Sequence, residues 1–315
     1  MRELRIVFMG TPHFAVATLE TLIEANYNIV GVITAPDKPA GRGKKLRQSA
    51  VKEFALAHGL KVLQPTNLKD KSFIEELRAL RPNLQVVVAF RMLPEVVWKL
   101  PKYGTFNLHA SLLPDYRGAA PINWALINGD TKTGVTTFFI DEKIDTGEMI
   151  FQKEVDIFHE DDAGALHDRL MMEGSELVLK TVKAIEEGNV TTTPQPRDVE
   201  TRDAFKIHKD TCKINWNERA ENIYNKVRGL SPYPTAWSIL HNEDREMNVK
   251  IYKVRPIVEA HKKEVGSVIV SKDQIKVAVI DGFIELMELQ LPGKKRMDSA
   301  SLLNGYHFSE NAYMR

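Results

Sequence analysis

Asn107 and His109 stand two positions apart in a short apolar run that has the pattern of a buried strand. Because side chains alternate across a strand, the amide and the imidazole should lie on the same face. An amide can stabilise charge that develops on a carbonyl oxygen, and an imidazole can move a proton. The pair fits acyl transfer. An Asn-x-His pattern more often comes from a turn asparagine beside an interior histidine. Only the segment that follows, Ser111 to Gly118, favours a catalytic pair here.

A carboxylate follows a later predicted strand in the sequence Asp145-Thr146-Gly147. If the two strand ends meet, this carboxylate can orient His109, which is the part that the acid plays in a catalytic triad. Asp and Gly also favour turns, so the tripeptide alone predicts only a turn.

A third candidate is the segment 36–47, which holds five basic residues and one acidic residue among two prolines and two glycines. Such a loop suits a polyanionic substrate, because Lys and Arg pair with phosphates. A solvated loop without a partner is an equally good interpretation of a basic run. The basic residues at the far end of this loop are Arg42, Lys44, Lys45 and Arg47.

These candidates follow apolar runs that alternate with helical patterns over the first 188 residues. The alternation predicts an α/β fold, a doubly wound and mostly parallel sheet, in which ligands bind at the carboxyl ends of the strands. The predicted strands are 5–9, 28–34, 61–63, 84–90, 105–109 and 133–140, and the predicted helices are 14–25, 50–58, 72–80, 94–100, 121–127 and 161–187.

The amino-acid composition changes after Gly188, where a stretch rich in Thr and Pro predicts a linker over 189–208. Beyond it, a helix over 217–228 precedes short apolar runs at 236–240, 249–254, 266–270, 275–280 and 283–291. Short strands at this spacing indicate a small antiparallel barrel or sandwich. We therefore expect domains at 1–188 and 209–315.

The bulk composition excludes several classes of protein. With 43% hydrophobic and 27% charged residues, the chain is neither disordered nor fibrous. The single cysteine, Cys212, excludes an intrachain disulfide framework and a cysteine-rich zinc site. A net charge of +1 argues against a general nucleic-acid coat. No apolar run approaches the roughly 20 residues that span a bilayer, and no leader pattern is present, so the sequence predicts a cytoplasmic protein without a membrane contact.

Several motifs together resemble the 10-formyltetrahydrofolate-dependent formyltransferases, and within them the members that act on initiator tRNA. The resemblance extends over essentially the whole chain. It rests on the following segments: 8–12 (FMGTP), 41–45 (GRGKK), 64–65 (QP), 107–114 (NLHASLLP), 116–124 (YRGAAPINW), 145–147 (DTG), 214–216 (INW), 228–232 (RGLSP) and 292–297 (PGKKRM).

The resemblance implies that Asn107, His109 and Asp145 form the catalytic set and that the C-terminal barrel has OB-like topology. It implies 10-formyltetrahydrofolate as formyl donor, without a metal, and methionyl initiator tRNA as acceptor. It places Ser111, Leu112, Leu113 and Pro114 in the folate-binding segment, together with Phe90, Met92 and Leu93 of a loop that lines the pterin pocket. It places Arg42, Lys44, Lys45 and Arg47 on the tRNA. A monomer is expected.

The sequence departs from its relatives in one place: most of them have Tyr-Gly where this chain has Phe90-Arg91. Two alternative functions stay open at this point. One is a formyltransferase or formyl-folate hydrolase that acts on a small molecule. The other is a nucleic-acid-binding module, built on the barrel, whose N-terminal domain has lost its activity.

Overall fold

The computed structural model describes residues 1–40, 45–196 and 200–315. The strands are β1 (Ile6–Gly10), β2 (Ile29–Ile33), β3 (Lys38–Ala40), β4 (Lys45–Arg47), β5 (Val62–Leu63), β6 (Leu84–Val88), β7 (Thr105–His109), β8 (Arg117–Gly118), β9 (Lys132–Phe139), β10 (Met149–Asp156), β11 (Asp203–Ala204), β12 (Ala236–Asn242), β13 (Arg245–Val258), β14 (Val268–Val270), β15 (Ile275–Val279), β16 (Gly282–Gln290), β17 (Met297–Asp298) and β18 (Tyr313–Met314). The α-helices are α1 (His13–Glu24), α2 (Ala50–Ala57), α3 (Lys71–Ala79), α4 (Glu95–Trp98), α5 (Pro121–Ile127), α6 (Ala163–Glu187), α7 (Ala220–Leu230) and α8 (Ser299–Leu303).

The first sheet has seven strands in the order β10-β9-β7-β6-β1-β2-β5. The pairs β5–β2, β2–β1, β1–β6 and β6–β7 are parallel, whereas β7 and β9 are antiparallel. After β1, the chain adds β2 and β5 on one side of β1 and then places β6 on the other side. Such a reversal leaves a crevice at the carboxyl ends of the strands, which is where doubly wound sheets bind ligands.

Helices cover both faces of this sheet, which explains why β1 and most of β6 are apolar. Val7 and Met9 of β1 face a core that contains Leu77 of α3 and Val97 of α4. On the other face, Gly174 of α6 lies directly against Leu108 of β7. Burial on both faces makes β1 an apolar run without alternation, and β6 is apolar apart from Gln85, whose Oε1 accepts a hydrogen bond from the Thr105 hydroxyl (2.8 Å).

The second large sheet closes on itself. Its order is β14-β15-β16-β13-β12-β18, with β17 paired to β16. The two ends of this path meet, because the amide of Val268 donates to Ala312 O (2.9 Å) and the amide of Met314 donates to Gly266 O (2.8 Å). The barrel encloses its own apolar core, to which α7 contributes Ile223 and Val227. The expected fold class, a mostly parallel α/β sheet with a smaller C-terminal barrel, is confirmed.

The described contacts divide into two units. Unit 1 comprises 1–118, 133–155 and 167–203, and unit 2 comprises 119–132, 156–166 and 204–315. Unit 1 therefore includes the N-terminal part of the predicted linker, and two segments from the predicted domain 1–188 group with the barrel. Among the described residues, no helix combines the length and the apolar content needed to cross a bilayer.

Element boundaries differ from the sequence predictions where distant groups set them. The helix predicted from residue 217 begins at Ala220, because Asp281, far away in sequence, accepts a hydrogen bond from the Ala220 amide (2.7 Å). The strand predicted to reach Phe90 ends at Val88, since Ala89 has a φ of 47°. Strand β10 was not predicted, because the polar residues at 152–154 interrupt its apolar pattern.

Candidate functional site

Asn107 and His109 lie on one face of β7 at its carboxyl end, as their spacing predicts. Asn107 is in register with Val87 of β6 and Phe138 of β9, and His109 is in register with Thr136. The Asn107 side chain is half-buried and makes no hydrogen bond to any described residue. Its amide is therefore available to a bound molecule.

His109 is buried, and both of its ring nitrogens have neighbours. Nε2 lies 2.7 Å from the carbonyl oxygen of Tyr116. Since a carbonyl can only accept, Nε2 carries a hydrogen, and the neutral ring has its lone pair on Nδ1. Nδ1 lies 3.8 Å from Oδ2 of Asp145. A proton taken up at Nδ1 therefore meets a carboxylate at once.

Asp145 is held in a tight loop between β9 and β10. Its Oδ2 accepts a hydrogen bond from the Gly118 amide at 2.9 Å. Within the loop, Asp141 Oδ1 accepts from the hydroxyl of Thr146 (2.8 Å) and from the amide of Lys143 (3.1 Å). The sequence predicted the turn correctly, and the structure also brings its carboxylate to His109.

Three residues other than glycine have positive φ beside this site: Ala89 at 47°, Tyr116 at 59° and Asp145 at 55°. L-residues rarely adopt this conformation, and each instance costs on the order of 1 kcal/mol or more. Each of the three belongs to a different loop, at the ends of β6, β7 and β9. Such strain persists where surrounding contacts over-determine the backbone, and it is concentrated at functional sites.

The segment 111–114 is supported from below by one hydroxyl. Thr136 Oγ1 donates to Ser111 O (2.7 Å) and accepts from the amide of Leu113 (3.2 Å) and from Nε2 of Gln152 (3.0 Å). Ser111 itself is buried, and its hydroxyl donates to Asp115 O (2.6 Å). Leu113 is buried, whereas Leu112 and Pro114 are half-buried.

The loop after β6 places its three candidate residues differently. Met92 is 72% exposed and Phe90 is half-buried, but Leu93 is buried in the core beside Val97. Arg91 donates from Nη1 to Thr66 O (2.9 Å) and from Nη2 to Pro65 O. Partial burial lowers the pKa of its guanidinium. Arg91 thus ties the loop after β6 to residues 65–66.

Strands β3 and β4 pair antiparallel, with Lys38 opposite Arg47. Both strands belong to the segment 36–47, which we call the basic segment. Asp37, just before β3, accepts a hydrogen bond from Lys52 Nζ (2.6 Å) and another from Gln64 (2.8 Å), and these bonds lower the pKa of Asp37. Arg47 is exposed. Arg42 and Lys44 lie outside the described residues, and of Lys45 only the backbone is described.

Sequence reasoning missed several groups that hold the site together. The carbonyl of Tyr116 and the amide of Gly118 were within the segment already singled out, but backbone atoms leave no residue-type signal. Thr136 and Gln152 sit on strands where polar residues could have been noted. Gln195 lies in the predicted linker, where nothing in the sequence marked it. In the described ranges, no group of three or more His, Cys, Asp or Glu side chains could hold a metal.

Comparison with known proteins decides the family. Residues 4–182 match the formyl transferase family, and residues 206–307 match the formyl transferase C-terminal domain. The chain belongs to the formyltransferase family. A family member from Flavobacterium johnsoniae, methionyl-tRNA formyltransferase, is 60% identical over 312 residues, which cover 99% of each chain. The same enzyme of Bacteroides fragilis is 54% identical over 318 residues, covering 99% of this chain and 98% of that one.

A solved structure agrees with the fold. The crystal structure of a sugar 3N-formyltransferase, determined with dTDP and 5-N-formyl-tetrahydrofolate, superposes with a TM-score of 0.64. It covers 94% of this chain and 100% of its own, at 21% identity. At that identity the likeness supports the family's fold and carries no information about the acceptor.

Proposed function

We propose that this formyltransferase moves the formyl group of 10-formyltetrahydrofolate to the α-amine of methionyl initiator tRNA, for translation initiation. The observation that carries the chemistry is the unengaged amide of Asn107 beside the His109–Asp145 pair. The choice of acceptor rests on relatives of 54% to 60% identity over nearly their full length, which are named methionyl-tRNA formyltransferase.

The reaction requires one new bond and one proton moved. The methionyl nitrogen attacks the formyl carbon, the carbon–N10 bond breaks, and one proton passes from the attacking amine to N10. Asn107 donates to the formyl oxygen as it gains negative charge. His109 accepts the proton at Nδ1, where Asp145 stabilises the imidazolium, and then delivers it to N10. No group on the protein becomes covalently attached.

The remaining assignments are part of the same proposal. Folate contacts are proposed for 111–114 and for Phe90, Met92 and Leu93, among which Leu93 could contribute only through its backbone because its side chain is buried. Contacts to tRNA are proposed for Arg42, Lys44, Lys45 and Arg47. We further propose a catalytic domain at 1–188, a linker at 189–208, a tRNA-binding domain at 209–315, a monomeric state and a cytoplasmic location.

A formylation assay tests the function. The purified protein is incubated with 10-formyltetrahydrofolate and one acceptor at a time: methionyl initiator tRNA, methionyl elongator tRNA or one of a set of small amines. We expect rapid formylation of the initiator species only. Release of free formate without transfer, or formylation of small amines alone, would replace the proposal with a hydrolase or a small-molecule transferase.

A further inference from the structure

The buried side chain of Gln195 reaches the catalytic loop from a segment that the sequence suggests is a spacer. Its Nε2 donates to two backbone carbonyls of that loop, Asp145 O and Gly147 O, both at 2.9 Å. The side chain is 7% exposed. Two donated hydrogen bonds use both hydrogens of the amide, so the nitrogen is fully satisfied.

The other end of the Gln195 amide is held equally firmly. Its Oε1 accepts from Nε (3.1 Å) and Nη2 (2.6 Å) of Arg117. Arg117 immediately precedes Gly118, whose amide donates to the Asp145 carboxylate at 2.9 Å. Asp145 therefore accepts two hydrogen bonds from one connected set of groups: its backbone carbonyl accepts from Gln195, and its carboxylate accepts from the Gly118 amide.

The segment that carries Gln195 is anchored on both sides within unit 1. Before it, Thr193 and Met149 exchange two backbone hydrogen bonds of 2.9 Å. After it, the carbonyl of Arg202 accepts from the amide of Tyr116 (2.5 Å), the residue whose own carbonyl meets His109. Hydrogen bonds on both sides of Gln195 thus fix its position against the loop that holds Asp145.

We infer that Gln195, braced by Arg117, is the positioning residue that sets Asp145 against His109. This inference rests on the proposed function, since it assumes that Asp145 acts on His109. Asp145 has a positive φ, a conformation that carries a free-energy cost and persists where surrounding contacts hold the backbone. The two carbonyls that Gln195 contacts lie at Asp145 itself and two residues after it, and without Gln195 both lose this hydrogen bond.

Three variants of Gln195 and Arg117 separate the parts of this support. Gln195→Leu removes every hydrogen bond at similar volume. Gln195→Glu still accepts from Arg117 but cannot donate to Asp145 O and Gly147 O. Arg117→Lys keeps the charge and loses the paired donation. We expect both Gln195 variants to lower kcat by about 10- to 100-fold, with the KM for the formyl donor nearly unchanged, because a small displacement of a catalytic group costs this much.

A double-mutant cycle with Asp145→Ala decides whether Gln195 acts through Asp145. In the Asp145→Ala background, Gln195→Leu should cause no further loss of kcat. An equal further loss in that background, or a kcat within twofold of the parent for both Gln195 variants, would overturn the inference. If Asp145→Ala alone keeps near-normal turnover, the proposed catalytic set is wrong, whatever Gln195 does.

Asn83→Leu is the control for losing a side-chain amide that is hydrogen-bonded at both ends. In unit 1, Asn83 donates to Glu3 O (2.7 Å) and accepts from the Arg5 amide (2.7 Å), and neither partner is assigned to the proposed site. Thermal unfolding of all variants shows whether they fold. Should Gln195→Leu fail to fold, Gln195→Glu carries the test, because its carboxylate keeps the bond to Arg117. An equal fall in kcat for Asn83→Leu would mean that such losses are not specific to the catalytic loop, and the inference would fail.

Discussion

The three proposed catalytic side chains differ in how completely the protein engages them. His109 has a carbonyl at one nitrogen and a carboxylate near the other, and Asp145 is fixed by the Gly118 amide. Asn107 alone has no partner among the described residues. A donor kept free of internal bonds needs no rearrangement before it meets an oxyanion, which is the condition for electrostatic preorganisation.

Asn107→Asp tests this interpretation with almost no change in volume. The substitution replaces the amide donor by a carboxylate that repels developing negative charge, so we expect kcat to fall by about 10²–10³-fold. Single-turnover formylation measures it. Asn26→Asp makes the same chemical change at an exposed position and should leave the rate within about twofold. A normal rate in Asn107→Asp would exclude the amide as the oxyanion donor.

At the scale of elements, the loop between β9 and β10 depends on a close backbone approach. A Cβ built on Gly147 would lie 1.6 Å from Phe139 O, a distance that no side chain can occupy. The loop can therefore fold tightly against β9 only with glycine at this position. The same loop positions Asp145, so its packing and its chemistry are coupled.

Gly147→Ala should therefore harm both stability and catalysis. Relief of the clash requires a backbone shift, which typically costs about 1–3 kcal/mol, and it displaces Asp145. Chemical denaturation and kcat are the measurements. Gly305→Ala is the control, because its Cβ would meet nothing within 4 Å. If Gly147→Ala matches Gly305→Ala in both measurements, the loop is more adaptable than the contact with Phe139 indicates.

The basic segment, residues 36–47, gives a prediction about tRNA binding. Arg42→Ala should raise the KM for tRNA and reduce the slope of log affinity against log salt by about 1, the loss expected for one phosphate contact. Salt titrations of tRNA binding measure this. Lys71→Ala, at an exposed lysine of α3, should leave the slope unchanged. An unaltered slope in Arg42→Ala would place the tRNA elsewhere.

The sequence predicted most of the longer elements of unit 1, although not β10, because apolar runs and helical spacing are local properties. It also predicted that Asn107 and His109 share a face, since strand alternation fixes that relation. It could not predict Gln195 or the Gly118 amide, because their importance comes from folding against a loop distant in sequence. The start of α7 escaped prediction for the same reason, as Asp281 caps it.

At the scale of the whole molecule, two units with separate cores divide the work that we propose. All of Asn107, His109 and Asp145 belong to unit 1, whereas the barrel belongs to unit 2. The nearly neutral net charge of +1 conceals the concentration of basic residues between 36 and 47. Charge placed locally can hold one part of an RNA without the broad attraction of a strongly basic protein.

Hydrogen exchange with 5-formyltetrahydrofolate tests this division. A ligand that binds only the native state slows local opening where it binds. We expect slower exchange at the ends of β6 and β7 and in the loop at 141–147. The strands β12 to β16 serve as the internal control and should exchange at an unchanged rate. Protection confined to the barrel would move the folate site out of unit 1.

The place of Gln195 in the chain has a consequence for how family members can be recombined. In a chimera joined at Gly188, the loop that holds Asp145 comes from one parent and the residue at position 195 comes from the other. A junction after Asp203 takes the loop and residue 195 from the same parent, so their hydrogen bonds are kept. We therefore expect a chimera joined after Asp203 to keep its kcat and one joined at Gly188 to have a lower kcat, even though composition alone predicts a domain boundary at Gly188.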